Sequence, residues 1–332
     1  MSGELAPRVP QSWGESGGHP HPPGEERAGW GDTPHAPRQG SSPAPPGTRS
    51  RAAPRQGSAP APTGTAHPAP QAWAGREEGR GEAAAIFVTG TDTGVGKTVA
   101  TAAIARALAA RGRRVGVLKP VQTGVAPGQP GDAAFVLAAL GTDQPPQLAC
   151  TYSFREPAAP LVAARAEGAR LDVGVIRAHF ERLRQSHDVV LVEGAGGLLV
   201  PLAEGYSMAD LARGLGLPLV VVARPGLGTL NHTLLTLEAA RARGLSVLGI
   251  VLAGWREPVD LATRTNPALL CELGQAALLG VLPWDEGLSV EDLRPGRLRE
   301  WAPRALAPAL GGHFDAAAFL AACTRGEAWP AP

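Results

Sequence analysis

Cysteine is scarce in this chain of 332 residues, occurring only as Cys150, Cys271 and Cys323. Thiols that are few, widely spaced and odd in number support neither a disulfide framework nor a C-x-x-C metal site, and they suit a reducing cytoplasm. Long apolar runs are missing as well. No stretch reaches the roughly 18 apolar residues of a membrane-spanning helix, and no apolar segment follows a basic one at the N-terminus, so neither a membrane span nor a secretory signal is expected. Charge of one sign is also lacking: the formal net charge is +1, which gives no sign of a protein that binds nucleic acid or another polyanion. His179, His187 and His232 have no spacing that suggests a shared metal site.

Large aliphatic side chains are nearly absent from residues 1–82. Apart from proline, alanine and the initiator methionine, only Leu5 and Val9 are aliphatic there, accompanied by Trp13, Trp30 and Trp73. Such a segment cannot bury enough apolar surface to offset its ordering entropy, so a disordered Pro/Gly/Ala-rich extension is expected. Runs such as Ser42-Pro43-Ala44-Pro45-Pro46 allow extended docking to a partner domain, and an extension upstream of the real start is the other alternative.

From Ala83 the pattern changes to short apolar runs separated by amphipathic segments, which predicts one α/β domain over 83–332 with a mainly parallel sheet flanked by helices. Strands are expected at Ile86–Thr89, Val115–Leu118, Val189–Val192, Leu219–Val222, Val247–Leu252 and Leu278–Leu282. Helices are expected at Val99–Arg111, Ala133–Leu140, Ala158–Glu167, Val173–Gln185, Ser207–Arg213, Thr229–Arg243, Asp260–Leu273 and Asp315–Cys323. In such folds functional groups lie just after the strands.

The first strand runs into Gly90-Thr91-Asp92-Thr93-Gly94-Val95-Gly96-Lys97-Thr98, a phosphate-loop pattern with Thr91 where the first glycine of G-x-x-x-x-G-K-[ST] stands and Gly90 one place earlier. Backbone N–H groups of such a loop point at phosphate oxygens, the lysine adds a point charge, and the threonine hydroxyl suits Mg²⁺. After the second strand comes Lys119-Pro120-Val121-Gln122-Thr123-Gly124, in which Pro120 is expected to end the ladder and Lys119 to share an edge with the phosphate loop. Asp132 either caps the following helix or joins the site. Glu193, at the tip of an apolar strand, is placed to hold Mg²⁺ directly or through water. The turn Arg224–His232 offers free N–H groups to a carboxylate, or is capped by Thr229.

With these motifs in order and Val192-Glu193-Gly194-Ala195-Gly196-Gly197 closing the series, residues from Ala83 to about Trp284 resemble dethiobiotin synthetase. The resemblance implies a P-loop NTPase-type fold and an ATP-dependent ring closure of 7,8-diaminononanoate with CO₂, by way of a carbamate and a carbamic-phosphoric anhydride. It implies catalytic roles for Lys97 and Lys119, and nucleotide contacts from Gly94, Val95, Gly96, Lys97, Thr98, Val99, Asp132, Glu193, Gly194, Ala195 and Gly196. It further implies a base-contacting turn at Leu282, Pro283 and Trp284, substrate contacts from Thr93 and Thr123, and Mg²⁺ ligation by Thr98, Asp132 and Glu193. A homodimer follows from the same likeness, with Gly228–Asn231 reaching substrate held by the other subunit. One departure concerns the base: Ala253-Gly254-Trp255 stands where many members carry an asparagine that reads adenine, so another nucleoside triphosphate is open. An amide-forming synthetase acting on cobyrinate is disfavoured by the short chain after the last strand. A partitioning or switch ATPase is disfavoured by Asp92, which stands where that group has a second lysine.

Overall fold

The computed structural model describes residues 83–306 and Ala321. The extension expected over 1–82 and the helix expected at Asp315–Cys323 lie outside the described residues, Ala321 apart. In chain order the elements are β1 (Ala84–Gly90), α1 (Lys97–Ala109), β2 (Val115–Thr123), α2 (Asp132–Leu140), α3 (Pro146–Ala149), β3 (Cys150–Phe154), α4 (Pro160–Ala166), α5 (Val173–Ser186) and β4 (Val189–Gly197). They continue with β5 (Pro201–Ala203), β6 (Tyr206–Ser207), α6 (Met208–Gly214), β7 (Leu219–Ala223), α7 (Thr229–Arg241), β8 (Val247–Trp255) and α8 (Leu261–Gly274). The last described are β9 (Leu278–Pro283), β10 (Leu288–Ser289), β11 (Arg294–Pro295) and α9 (Leu298–Ala305).

Seven strands form one sheet in the order β3-β2-β4-β1-β7-β8-β9, and every pairing in it is parallel. Alternation along the strands explains why both faces are covered. On β1, Ile86 and Val88 enter the layer built with α1, α2 and α9, whereas Ala85 and Phe87 enter the layer that includes α5, α6 and α7. All seven residues of β1 are buried, as a central parallel strand requires.

The six expected strands all form, each extended by one to five residues. The strand β3 has no counterpart among them. Its Cys-Thr-Tyr-Ser-Phe alternates polar and apolar residues, and Tyr152 and Phe154 stack with ring centroids 6.4 Å apart inside the second layer. The seven expected helices that fall among the described residues begin and end within about two residues of those observed. Ser207 and Asp260 prove to be N-caps, accepting from the amides of Asp210 and Thr263. The short α3 and the helix α9 also went unforeseen, although Leu298, Ala302 and Ala305 recur at helical spacing and are buried.

Pro120 does not end its ladder. Pairing of β2 with β4 stops at Leu118↔Val192, and beyond that point β2 continues beside the edge strand β3 as far as Thr123↔Phe154. A proline is tolerated where one side of the strand has no partner. The separation of β2 from β4 opens the crevice in which the site lies.

Candidate active site

Gly90 is where the phosphate loop turns back on itself. A Cβ there would lie 2.8 Å from Val95 Cγ2 and 3.0 Å from the Asp92 carbonyl, so the displaced glycine is a packing requirement. Thr91 instead continues the sheet, its amide donating to the Val222 carbonyl at 3.0 Å. Gly94 and Gly96 both adopt left-handed φ, and Gly96 occupies the N-cap of α1 with no side-chain cap. A Cβ on Gly96 would come within 2.8 Å of the Ala253 methyl, so a small residue in β8 packs closely against the loop.

Lys119 and Glu193 directly follow the last β2–β4 pair, Leu118↔Val192. The Lys119 ammonium donates to Glu193 Oε1 at 2.7 Å and to the Gly194 carbonyl at 3.3 Å, and it pairs with Asp132 Oδ2. Glu193 Oε1 also accepts from Thr98 Oγ1 at 2.8 Å. Lys119 and Glu193 are 3% and 1% exposed, so this is a buried charge cluster rather than a surface pair. Burial alone would depress the Lys119 ammonium, but the Glu193 and Asp132 carboxylates outweigh it and hold the group above the ordinary lysine value. Asp132 is held below the ordinary carboxylate value, since the Lys119 charge overcomes the effect of burial. Capping is not its role: Gly131 takes the N-cap position of α2 without a side-chain cap, and Asp132 is the first helical residue.

Lys97 is buried as well, and its ammonium donates to the Asp92 carbonyl at 2.8 Å. Desolvation, with the Lys119 charge second, lowers it to about 8. The two lysines thus differ in kind: one is held in its charged form by carboxylates, and the other is shifted down to about 8 by burial and its neighbour's charge.

A cleft of about 820 Å³ runs over these groups, and its walls include Thr93, Lys97, Thr98, Lys119, Thr123 and Asp132. Gly94, Gly96, Val99, Glu193, Ala195 and Gly196 line it too, so most residues implicated by the motifs meet in one place. Four do not line it: Val95, Gly194, Leu282 and Pro283. Val95 is 3% exposed, Leu282 is fully buried in the core, and Pro283 is half-buried at the end of β9. Gly194 reaches the cluster through its carbonyl. Of the turn after β9, Trp284 borders the cleft, 55% exposed, with the Arg256 guanidinium 5.9 Å above its ring.

Asp92 is turned toward Arg224, with 3.6 Å between Oδ2 and Nη2, and the same guanidinium donates to the Thr93 carbonyl at 3.2 Å. The loop after β7 therefore braces the phosphate loop. Thr229 does not cap α7; Gly228 holds the N-cap position without a side-chain bond.

Some participants had no role assigned from the sequence. Gln122 packs its carboxamide beneath Gly131, and its Oε1 is buried without a partner. Residues three apart on a regular strand face opposite sides, yet Lys119 and Gln122 meet the consecutive residues Asp132 and Gly131. The strand swivels at Pro120, and that proline was the available signal. Leu288–Glu291 form a further wall of the cleft, from a segment with no phosphate or metal pattern.

The AAA domain family model matches residues 84–292, well over half the chain. The ATP-dependent dethiobiotin synthetase BioD of Anaeromyxobacter sp. (strain Fw109-5) is 52% identical over 55% of this chain and 82% of its own length. The protein of that name from Parafrankia sp. (strain EAN1pec) is 45% identical over 70% of this chain and 96% of its own. Among solved structures, the cell division ATPase MinD of Pyrococcus furiosus aligns at a TM-score of 0.43 and 17% identity, over 73% of this chain and 97% of that one, a likeness that decides nothing about activity. With aligned relatives covered over more than four fifths of their length, the chain belongs to the dethiobiotin synthetase family.

Proposed function

We propose that this chain closes the ureido ring of dethiobiotin from 7,8-diaminononanoate, CO₂ and ATP, releasing ADP and phosphate. The observation that carries the reading is the buried Lys119 ammonium, held between Asp132 and Glu193 at the mouth of the phosphate loop. A phosphoryl acceptor that is itself an anion requires fixed positive charge at the point of transfer, and the Lys119 ammonium, with that of Lys97 beside the same cleft, is the positive charge held there.

One substrate amine adds to CO₂ and loses a proton to water, giving a carbamate. The carbamate oxygen then takes the γ-phosphoryl group as ADP leaves. The second amine attacks the carbonyl carbon of the mixed anhydride, and phosphate departs. Lys119 and Lys97 offset the charge that gathers between carbamate and γ-phosphate. Backbone N–H groups from Gly94 to Val99 orient the phosphates, and the hydroxyls of Thr93 and Thr123 fix the diamine or its carbamate. Little covalent chemistry falls to the protein, so positioning carries the rate.

Thr98, Asp132 and Glu193 are the residues we assign to Mg²⁺. Their oxygens are hard donors: the Asp132 and Glu193 carboxylates already share one cation, the Lys119 ammonium, and the Thr98 hydroxyl donates to Glu193 beside it. Among the described residues no group of three His, Cys, Asp or Glu side chains is placed to hold a metal, so an ion here would be held by the Asp132 and Glu193 carboxylates and the Thr98 hydroxyl, with its remaining positions left to the triphosphate and water. When bound, it supplies charge neutralisation between the phosphates.

We also assign the enzyme to the cytoplasm and to a homodimer. Cys150 and Cys271 are free thiols, and among the described residues no helix is long and apolar enough to cross a membrane. Leu227, 91% exposed, adjoins the uncapped start of α7, which suits contact with a second subunit. Light scattering tests the dimer. The reaction is tested by dethiobiotin formation from diaminononanoate and bicarbonate with a panel of nucleoside triphosphates. Product with ATP is expected; its absence with every triphosphate, or phosphate release independent of the diamine, overturns the reading.

A further inference from the structure

The side chain that organises the open end of the cleft is Asp285, a residue outside every motif. Its carboxylate accepts from the Gly287 amide at 3.0 Å, from the Arg297 amide at 2.7 Å and from Trp301 Nε1 at 3.0 Å. A carboxylate has acceptors only, and three N–H donors converge on this one. Gly287 and Arg297 stand at the two feet of the hairpin formed by β10 and β11, so one side chain closes the neck of that loop. Trp301 lies on α9 and packs against the core, which ties the neck to the body of the domain. Gly296 leaves room for this contact, since a Cβ there would come within 2.6 Å of Asp285 Oδ2, and its φ of 53° is in the left-handed region.

A hairpin with two residues per strand has no stability of its own. Its placement therefore depends on the Asp285 neck and on Leu288, Val290 and Leu293, which pack against the core. That placement matters because Leu288–Glu291 are a wall of the phosphate cleft. Trp284, the residue immediately before Asp285, borders both that cleft and an adjoining cavity of about 600 Å³ beside Trp255 and Arg256. The cleft runs from the loop at Gly94–Thr98 to Trp284, and a triphosphate seated on the loop would have that route for its nucleoside. The wall and the aromatic platform on that route are joined through Asp285.

We propose that Asp285 is a positioning residue for the nucleoside half of the triphosphate, acting through the Leu288–Glu291 wall and the Trp284 ring. This rests on the reading that the cleft takes a nucleoside triphosphate. It separates Asp285 from the charge cluster around Lys119: Asp285 sets nucleotide affinity, and it leaves phosphoryl transfer and the diamine site alone.

The test is steady-state kinetics of dethiobiotin formation on the full chain, with ATP and the diamine varied in turn. Asp285→Asn places an amide donor opposite N–H donors and is expected to raise KM for ATP at least fivefold, with kcat and KM for the diamine within twofold of wild type. Trp301→Phe removes one donor and keeps most of the packing; it is expected to raise KM for ATP in the same direction by a smaller factor. A folded Asp285→Asn enzyme with KM for ATP within twofold of wild type overturns the proposal, as does a fall in kcat with KM unchanged. If Asp285→Asn does not fold, Trp301→Phe decides on the same criterion. Calorimetric binding of ATP to wild type and variant separates the two readings: a wild type that binds ATP but makes no dethiobiotin overturns the function, and the ratio of the two affinities still judges Asp285.

Discussion

Replacing Lys119 by methionine tests whether the site is built around a buried charge. Lys119 and Glu193 are 2.7 Å apart and almost wholly shielded from water. At an effective dielectric of about 20, unit charges at that distance attract by roughly 6 kcal/mol, against which both must be desolvated. Removing the lysine leaves Glu193 buried with the Thr98 hydroxyl as its remaining side-chain partner, a change that costs about 3–5 kcal/mol. Asp132 is less exposed to this penalty because its side chain is 36% accessible and can turn to water. Lys119→Met is therefore expected to lower the melting temperature by roughly 10 °C as well as to abolish ring closure. Lys119→Met combined with Glu193→Gln removes the stranded charge and should regain about 2–3 kcal/mol while activity stays absent. Urea denaturation and dethiobiotin formation read the two effects separately. Asp132 adds a pH signature. Its folded value lies below the ordinary 3.8, so its contribution is present above that pH and lost as pH falls through the folded value. The gap between wild type and Lys119→Met should accordingly narrow in acid. A single variant as stable as wild type, or a double variant no better than the single, would refute the reasoning.

Other outcomes follow from the same geometry. Phosphate anions favour the charged form of Lys97, which the free protein holds at about 8, so ADP binding at pH 8.5 is expected to take up a proton and to weaken as pH rises further. Calorimetry in buffers of different ionisation enthalpy measures it, and observed heats that do not vary with the buffer would count against Lys97 as a phosphate contact. Gly131→Ala sets a methyl against the Gln122 carboxamide, 2.6 Å from Cδ, and is expected to cost about 1–3 kcal/mol and to lower kcat by displacing Asp132. Adding Gln122→Ala should restore part of both, as urea denaturation and turnover will show. Removing residues 1–82 is expected to leave kcat within twofold of wild type, measured on the purified chain that begins at Ala83.

How far the sequence led can be judged from single residues. Ile86, Phe87 and Val88 announce a strand because a central parallel strand buries both faces and so reads as an unbroken apolar run. The edge strand β3 buries fewer of its groups against neighbours and contains Thr151 and Ser153, so its run is broken and it passed unread. The charge cluster was legible in parts: Lys97, Thr98 and Glu193 lie in motifs whose backbone geometry is encoded locally. Asp132 was ambiguous, since an acid at a helix start looks the same whether it caps or reaches a lysine. Only the fold places Lys119 beside it. Asp285 and Leu288–Glu291 left no trace, because their role depends on where α9 packs.

Pro120 shows how a local rule can be right in its physics and wrong in its conclusion. A proline removes one backbone donor, and in the interior of a sheet that loss ends pairing. Here pairing with β4 has already stopped at Leu118↔Val192, while pairing with β3 continues past the proline to Thr123↔Phe154, so the ladder survives and only the β4 side opens. That opening has two consequences for the site. It lets Lys119 reach Glu193 across a gap that a continuous ladder would fill with backbone hydrogen bonds. It also lets β2 swivel, so that Gln122 comes to lie under Gly131 and Asp132 is presented to Lys119. Replacing Pro120 by alanine restores the donor without requiring the swivel. The expected result is a stable protein with reduced kcat, read from thermal denaturation and dethiobiotin formation. Full turnover in Pro120→Ala would mean that the divergence of β2 and β4 is set elsewhere, by the pull of the buried ion pair itself.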